Sequence, residues 1–312
     1  LGASWATYRA LMARLDAAPA LWATQDELRE RVRPLLPLTL TTATDGNHGR
    51  AVAHMAALLG LDAQIFVPAG TAAARIEGIE GEGATVTVVD GTYDDAVARA
   101  ARRASERCLV ISDTSWPGYE DIPRWVIEGY STIFAEVDEQ LAQANERGPD
   151  LVVAQMGVGA LAAAVVQHYR RPGIQPPVRI IGVEPAHSAC VLASMEAGRL
   201  VTMPGPHDSI MAGLNCGTPS AVAWPLLANG IDTFAAIDDE WAIAAMRALA
   251  TEGIVAGETG AAGLAGLLAL LTDPASINAP EQLGITASTH ALVLCTEGAT
   301  DPVAYQRLVS GS

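Results

Sequence analysis

Lysine is missing altogether. All 19 basic residues are arginine, set against 35 acidic ones, and the 312 residues carry a net charge of -16. No basic tract exists to follow a nucleic-acid backbone or to hold an anionic membrane, so neither partner is expected. Cysteine is scarce: Cys108, Cys190, Cys216 and Cys295 are scattered with no C-x-x-C pair. That spacing argues against a zinc site, so no metal is expected, and it fits a reducing cytoplasm. Cys190 and Cys216 could still meet in space, although buried thiols in such a compartment normally stay free. No signal-peptide pattern is read, and no apolar run is long enough to span a bilayer. Internal repeats and low-complexity segments are absent too.

What is present is apolar material and a repeating order. Half of the residues are hydrophobic, and 312 residues exceed what one core usually serves, so two domains are expected. Short β-rich runs alternate with helical stretches. Strands are predicted at 38–42, 63–67, 84–89, 109–112, 151–155, 179–183 and 291–295. Helices are predicted at 49–59, 71–79, 93–107, 122–144, 161–169, 188–197, 221–227, 239–251, 261–271 and 301–309. Asn145–Pro149 reads as a linker. Repeated β-α units predict an α/β fold with parallel-rich sheets covered by helices. A smaller domain is expected over 38–144, and a larger one from 1–37 together with 145–312.

Polar, glycine-rich loops follow several of these strands. Asp45-Gly46-Asn47-His48-Gly49 lies between a strand and a helix. Its glycines allow a tight turn, and Asn47 can donate or accept. The plain alternative is a βα loop with Asp45 as helix N-cap. Gly157-Val158-Gly159-Ala160-Leu161 also precedes a helix and could present backbone N–H groups to a phosphate. With Ala162 in place of a third glycine it is not a dinucleotide fingerprint, and with no lysine it is not a P-loop. Glu258 sits in a glycine-rich helix start, and Cys295-Thr296-Glu297-Gly298 follows the last strand. Asp113-Thr114-Ser115-Trp116 follows another, where an Asx turn is the plain reading. Each alone is weak. In open α/β sheets, however, ligands bind beyond the carboxyl ends of strands, and these loops lie there together.

The motifs TDGNHGR (44–50), DTSWPGY (113–119), IPRWVIEGY (122–130), QMGVGALA (155–162), VEP (183–185), IMAGLNCG (210–217), GETGAAGL (257–264) and CTEGATD (295–301) carry a resemblance that spans essentially the whole chain. The sequence resembles the fold type II, tryptophan synthase β-like, pyridoxal-phosphate enzymes, and within them the diaminopropionate ammonia-lyase branch. The resemblance implies a two-domain enzyme with pyridoxal 5'-phosphate in the interdomain cleft. It implies elimination of 2,3-diaminopropionate to pyruvate and ammonia, a cytoplasmic location and a homodimer. By the same resemblance, Asn47 bonds the pyridoxal 3′-oxygen, and Gly157, Val158, Gly159, Ala160 and Leu161 cradle the phosphate. Cys295 or Thr296 faces the pyridine nitrogen, Glu258 lies near the ring, and Asp45 and Asp113 are the acid/base carboxylates.

The sequence departs from the family at one large point, because the family's cofactor-binding lysine has no counterpart in it. That lysine is expected directly before Leu1. A smaller departure is Ala163 and Ala164, where the family tends to have glycine. Two other readings stay open at this point: a serine/threonine or D-serine dehydratase, and a non-catalytic protein of the same fold should no upstream lysine exist.

Overall fold

The computed structural model describes residues 1–174 and 176–311. By internal contacts the chain divides into two compact units, 1–129 and 130–312, the boundary falling inside one long helix.

The first unit opens with α1 (Gly2–Arg14) and α2 (Gln25–Val32). It continues β1 (Thr39–Ala43), α3 (Asn47–Leu59), β2 (Asp62–Pro68), α4 (Ala73–Glu80), β3 (Thr85–Val89), α5 (Tyr93–Ala101) and β4 (Cys108–Val110), and α6 (Asp121–Gln143) leads out of it. All pairings are parallel and the strand order is β3-β2-β1-β4. The chain therefore walks outward from β1 to β3, then returns to lay β4 on the other side of β1. β1 and β4 are almost wholly buried, whereas β3 is an edge strand with its residues partly open. Burial on both faces explains why the inner strands lack a strict apolar/polar alternation.

The second unit repeats that plan. It comprises β5 (Leu151–Gln155), α7 (Ala160–Tyr169), β6 (Arg179–Pro185), α8 (Cys190–Ala197), α9 (Trp224–Gly230), β7 (Thr233–Ile237), α10 (Asp239–Thr251), α11 (Glu258–Thr272), α12 (Ala279–Gln282), β8 (Ala291–Val293) and α13 (Pro302–Ser310). Its four strands are again all parallel, in the order β7-β6-β5-β8. Its core gathers Leu151, Val153, Ile181 and Val183 from the sheet with Ala261, Ala262 and Ala265 of α11. Small residues on α11 let the helix lie close to the sheet. A Cβ placed on Gly266 would stand 2.3 Å from Val183 Cγ2.

Three differences from the sequence expectations have physical causes. The expected division assigned 1–37 to the larger domain; in the structure these residues group with the first unit. The backbone of α1 meets α6 at Gly129, where a Cβ would stand 2.9 Å from Gly2 Cα. Helix α1 itself was not expected, because its buried residues run around the helix and leave no clear stripe. Strand β7 was not expected either: TFAAI is an alanine-containing edge strand, weak in β-branched residues.

Gly266→Ala should force α11 off β6 and destabilise the protein by about 1–3 kcal/mol. Urea denaturation of the variant beside the parent protein checks this, and an unchanged midpoint would show that the helix has room to move.

Candidate functional site

In each sheet the topology reverses once, between β1 and β4 in the first and between β5 and β8 in the second. At such a switch point the loops diverge to opposite faces and leave a crevice beyond the strand ends. The four motifs DGNHG, DTSW, GVGAL and CTEG follow these four strands.

In the first unit, buried Thr44 organises the turn. Its Oγ1 accepts from the N–H of Gly46 at 2.9 Å and from that of Gly49 at 3.0 Å. Gly46 is the N-cap residue of α3, and Asp45 is not; the capping role suggested for the acid belongs to Thr44. Gly49 is required by contact, since a Cβ there would stand 2.1 Å from Thr44 Cγ2. The Arg75 guanidinium donates to the Asp45 carbonyl at 3.3 Å. Asp45 is half-buried and Asn47 exposed. His48 Nε2–H donates to the Ile111 carbonyl at 2.8 Å and fastens this turn to the loop after β4. In that loop Asp113 Oδ1 accepts the Tyr93 hydroxyl at 2.9 Å. Asp45 and Asp113 thus leave the carboxyl ends of neighbouring parallel strands. Tyr119, beneath them, receives the Ser112 N–H and donates to the Val110 carbonyl, both at 2.9 Å. Burial pushes its phenol far up, so it stays neutral.

In the second unit, the loop after β5 is packed backbone against backbone. A Cβ on Gly157 would lie 3.0 Å from the Gly213 carbonyl and 3.1 Å from Cys216 Sγ. Gly159 adopts φ +94°, open to glycine and little else. Helix α7 then starts with no side-chain cap on its first amides. Gln155, to which sequence pattern assigns no role, ends β5: its Nε2 donates to the Leu294 carbonyl at 2.9 Å and to Thr296 Oγ1 at 3.0 Å. Its buried Oε1 has no hydrogen-bond partner among the described residues. Cys295 Sγ donates to the Glu297 carbonyl at 3.5 Å. Partial burial of the thiol pushes it up from its ordinary value, and the nearby Glu297 adds to this. Glu258 begins α11 and is buried. The α11 start is clamped to the CTEG loop: Thr259 N–H donates to Glu297 Oε1 at 3.1 Å and Gly257 N–H to the Glu297 carbonyl at 3.1 Å. Thr259 Oγ1 in turn accepts the Gly213 N–H at 3.1 Å. Four distant sequence segments are so drawn together. Sequence reasoning missed Gln155, Tyr93 and Glu297 because their partners lie far away in the chain, and Thr44 because nothing in the pattern marks its hydroxyl as the acceptor for the turn.

All four cysteines are free. Among the described residues no cluster of three or more His, Cys, Asp or Glu is placed to hold a metal ion. Among them, too, no single helix is long and apolar enough to cross a membrane.

A model of the pyridoxal-phosphate dependent enzymes matches residues 17–285. The chain belongs to that family. It is 36% identical over 292 residues to the diaminopropionate ammonia-lyase of Salmonella typhimurium, covering 91% of this chain and 72% of that protein. It is 36% identical over 176 residues to the rat L-serine dehydratase/L-threonine deaminase, covering 56% of this chain and 45% of that protein. A crystal structure of Escherichia coli diaminopropionate ammonia lyase, in complex with an aminoacrylate-PLP azomethine reaction intermediate, superposes with a TM-score of 0.89 at 33% identity. It covers 100% of this chain and 79% of that one.

The residues of the second unit fit the family's cofactor. A loop with no side chain at Gly157 or Gly159 leads into uncapped helix amides, the arrangement that receives a phosphate. The Cys295 thiol is kept neutral, which suits a pyridine nitrogen that carries no proton. No lysine stands in the chain, so what these residues supply is the non-covalent hold.

Thr44→Val should strand two buried N–H groups and cost about 2–4 kcal/mol, one to two for each; a melting temperature within a degree of the parent's would contradict the turn as described. For Cys295, alkylation by iodoacetamide should precede that of the three buried thiols. Its rate should rise with pH along a curve displaced above that of a free cysteine peptide, because only the thiolate reacts. Mass spectrometry of peptides from the cofactor-free protein at a series of pH values reads both.

Proposed function

We propose that this chain eliminates ammonia from 2,3-diaminopropionate with pyridoxal 5'-phosphate as cofactor, adding water to give pyruvate and two molecules of ammonia. The observation that carries the reading is Asp45, a carboxylate at the switch point of the first sheet in a turn whose capping is done by another residue. The β-amino group of the substrate is an ammonium near neutral pH, and a carboxylate in a drying site attracts it strongly. A dehydratase gains nothing from an anion beside a neutral hydroxyl. The extent of similarity points the same way, since the dehydratase relatives align over 56% to 72% of the chain and the Salmonella typhimurium ammonia-lyase over 91%.

The residues divide the work. The Gly157–Leu161 amides would hold the phosphate, Asn47 the 3′-oxygen, and Cys295 or Thr296 the pyridine nitrogen, with Glu258 near the ring. When bound, the cofactor supplies an electron sink for the charge left at Cα. We assign the acid/base work to Asp45 and Asp113. Asp113 accepts the proton from Cα, and Asp45 draws the β-ammonium, which departs as ammonia with its three protons. Tyr93 orients Asp113 through the hydroxyl bond to Oδ1. Gln155 orients Thr296. The reading includes a homodimer in the cytoplasm; the four free thiols suit that compartment.

Asp45→Asn keeps the shape of the turn and removes the charge. It should lower kcat/KM for 2,3-diaminopropionate roughly 10²- to 10⁴-fold, the range for losing one acid/base group. Activity on serine should change by less than about tenfold, since no ammonium is lost there. Pyruvate release from both substrates is the assay. An equal loss on both would move the reading to a dehydratase, and no pyruvate from diaminopropionate in the parent enzyme would remove it.

A further inference from the structure

Glu184 is a buried carboxyl with no part in the acid/base scheme. It ends the second sheet's β6 at 1% exposure and reaches the start of α8. Its Oε1 accepts the Val191 N–H and its Oε2 the Leu192 N–H, each at 2.8 Å. The helix it holds begins with Cys190, whose Sγ donates to the carbonyl of Gly157 at 3.8 Å. The same short segment reaches the loop that backs Gly157: Ser188 Oγ donates to the Leu214 carbonyl at 3.3 Å. A chain of contacts therefore runs from the carboxyl, through one turn of helix, to the first residue of the phosphate loop.

We propose that Glu184 is a positioning residue for the phosphate cradle, holding α8 so that Cys190 fixes the Gly157 carbonyl. This rests on the cofactor reading of the Gly157–Leu161 loop. Burial pushes the carboxyl up to about 7, while the Val191 and Leu192 amides and the Cys190 thiol hold it down. Those are the groups that face it, and no charged side chain adds to the shift. An ionised carboxylate gives each amide its own oxygen. Protonation turns one oxygen into a donor, and an amide loses its acceptor. The cradle should loosen, and cofactor affinity fall, as pH drops through about 7. Folding responds with the opposite sign. Between the ordinary value of 4.5 and about 7 the folded chain holds a proton that the unfolded chain has released, so this group's contribution to stability is lost as pH rises. Opposite trends in affinity and stability mark a positioning role, which a purely structural carboxyl would not show.

The test is titration of the full-length cofactor-free enzyme with pyridoxal 5'-phosphate under reducing conditions from pH 6 to 8.5, following the bound phosphate by ³¹P NMR. The parent protein, Glu184→Gln and Cys190→Ala are compared. At pH 8 both variants should bind roughly five- to tenfold more weakly, the loss of about one buried hydrogen bond. Titration of the phosphate itself is common to all three proteins; the extra weakening on acidification should be present in the parent and gone in Glu184→Gln. Tighter binding by Glu184→Gln would mean that its charge acts by repelling the phosphate, and would overturn the proposal, as would unchanged affinity and pH profile. Should Glu184→Gln not fold, Cys190→Ala decides, since it leaves the Val191 and Leu192 amide bonds to the carboxyl in place: unchanged affinity overturns the proposal. A parent enzyme that shows no bound phosphate would bring down the cofactor reading and this inference with it, whereas binding without a variant effect brings down the inference alone.

Discussion

The structure depends on a reversal of strand order. In each sheet the chain lays its first strand in the middle, builds to one side, and returns to the other. Parallel strands joined by right-handed crossovers send consecutive helices to one face until that return, and only there do two loops part and leave backbone exposed at the strand ends. Every residue with a proposed chemical role, apart from Glu258, lies on a loop or helix start directly after a strand flanking such a reversal. Glu258 reaches the same place by being clamped to the loop after β8. The chemistry is thus located by topology first and by residue type second.

Close approach is the second constraint, and it explains the composition. The strand-end crevice of the second sheet is lined by backbone. Gly157 meets Gly213, Gly213 meets Thr259, and Gly257 meets Gly298 at distances that a side chain would fill. Glycine at these positions has a cost in chain entropy. The return is a set of N–H groups and carbonyls whose directions are fixed by the sheet behind them. Glu297 shows how the arrangement stays rigid: one residue takes bonds on both its side chain and its carbonyl from the first turn of α11. Neutral groups complete the picture, with the Cys295 thiol and the Tyr119 phenol both pushed up by burial.

Most of this order was legible from the sequence. Strand β5 and helix α10 fall where the pattern put them, and most other expected elements shift by a few residues at their ends, while α1, α2, α12 and β7 had no counterpart in the pattern. The glycine-rich loops were visible as such because glycine and polar residues directly after an apolar run mark the point where a strand gives way to a turn. Helix α5 stops at Ala101, short of the expected Arg107, because Ser105 and Cys108 pair their backbones in a tight turn that begins β4. What sequence could not show are partnerships across long separations. Gln155 reads as one more polar residue until Leu294 and Thr296, 139 and 141 positions away, come to it. Thr44 reads as part of a threonine-rich strand until the turn folds back on its hydroxyl.

That last substitution of roles bears on the chemistry. The simplest account of an acid at the start of a helix is capping, where a carboxylate accepts the first N–H groups and is stabilised by the helix dipole. Were Asp45 so used, both its oxygens would be drawn toward its own backbone and its charge partly cancelled by the amides. Thr44 takes the two amides instead, with a neutral hydroxyl that a threonine-rich strand supplies at no loss of β propensity. Gly46, not the acid, is the N-cap residue of the helix, and Arg75 holds the Asp45 backbone by its carbonyl. On the proposed reading, a carboxylate that is not the N-cap residue, at a place where the fold makes a crevice, acts on a ligand. The charge that suits such a ligand is positive, and the β-ammonium of a diamino acid has it.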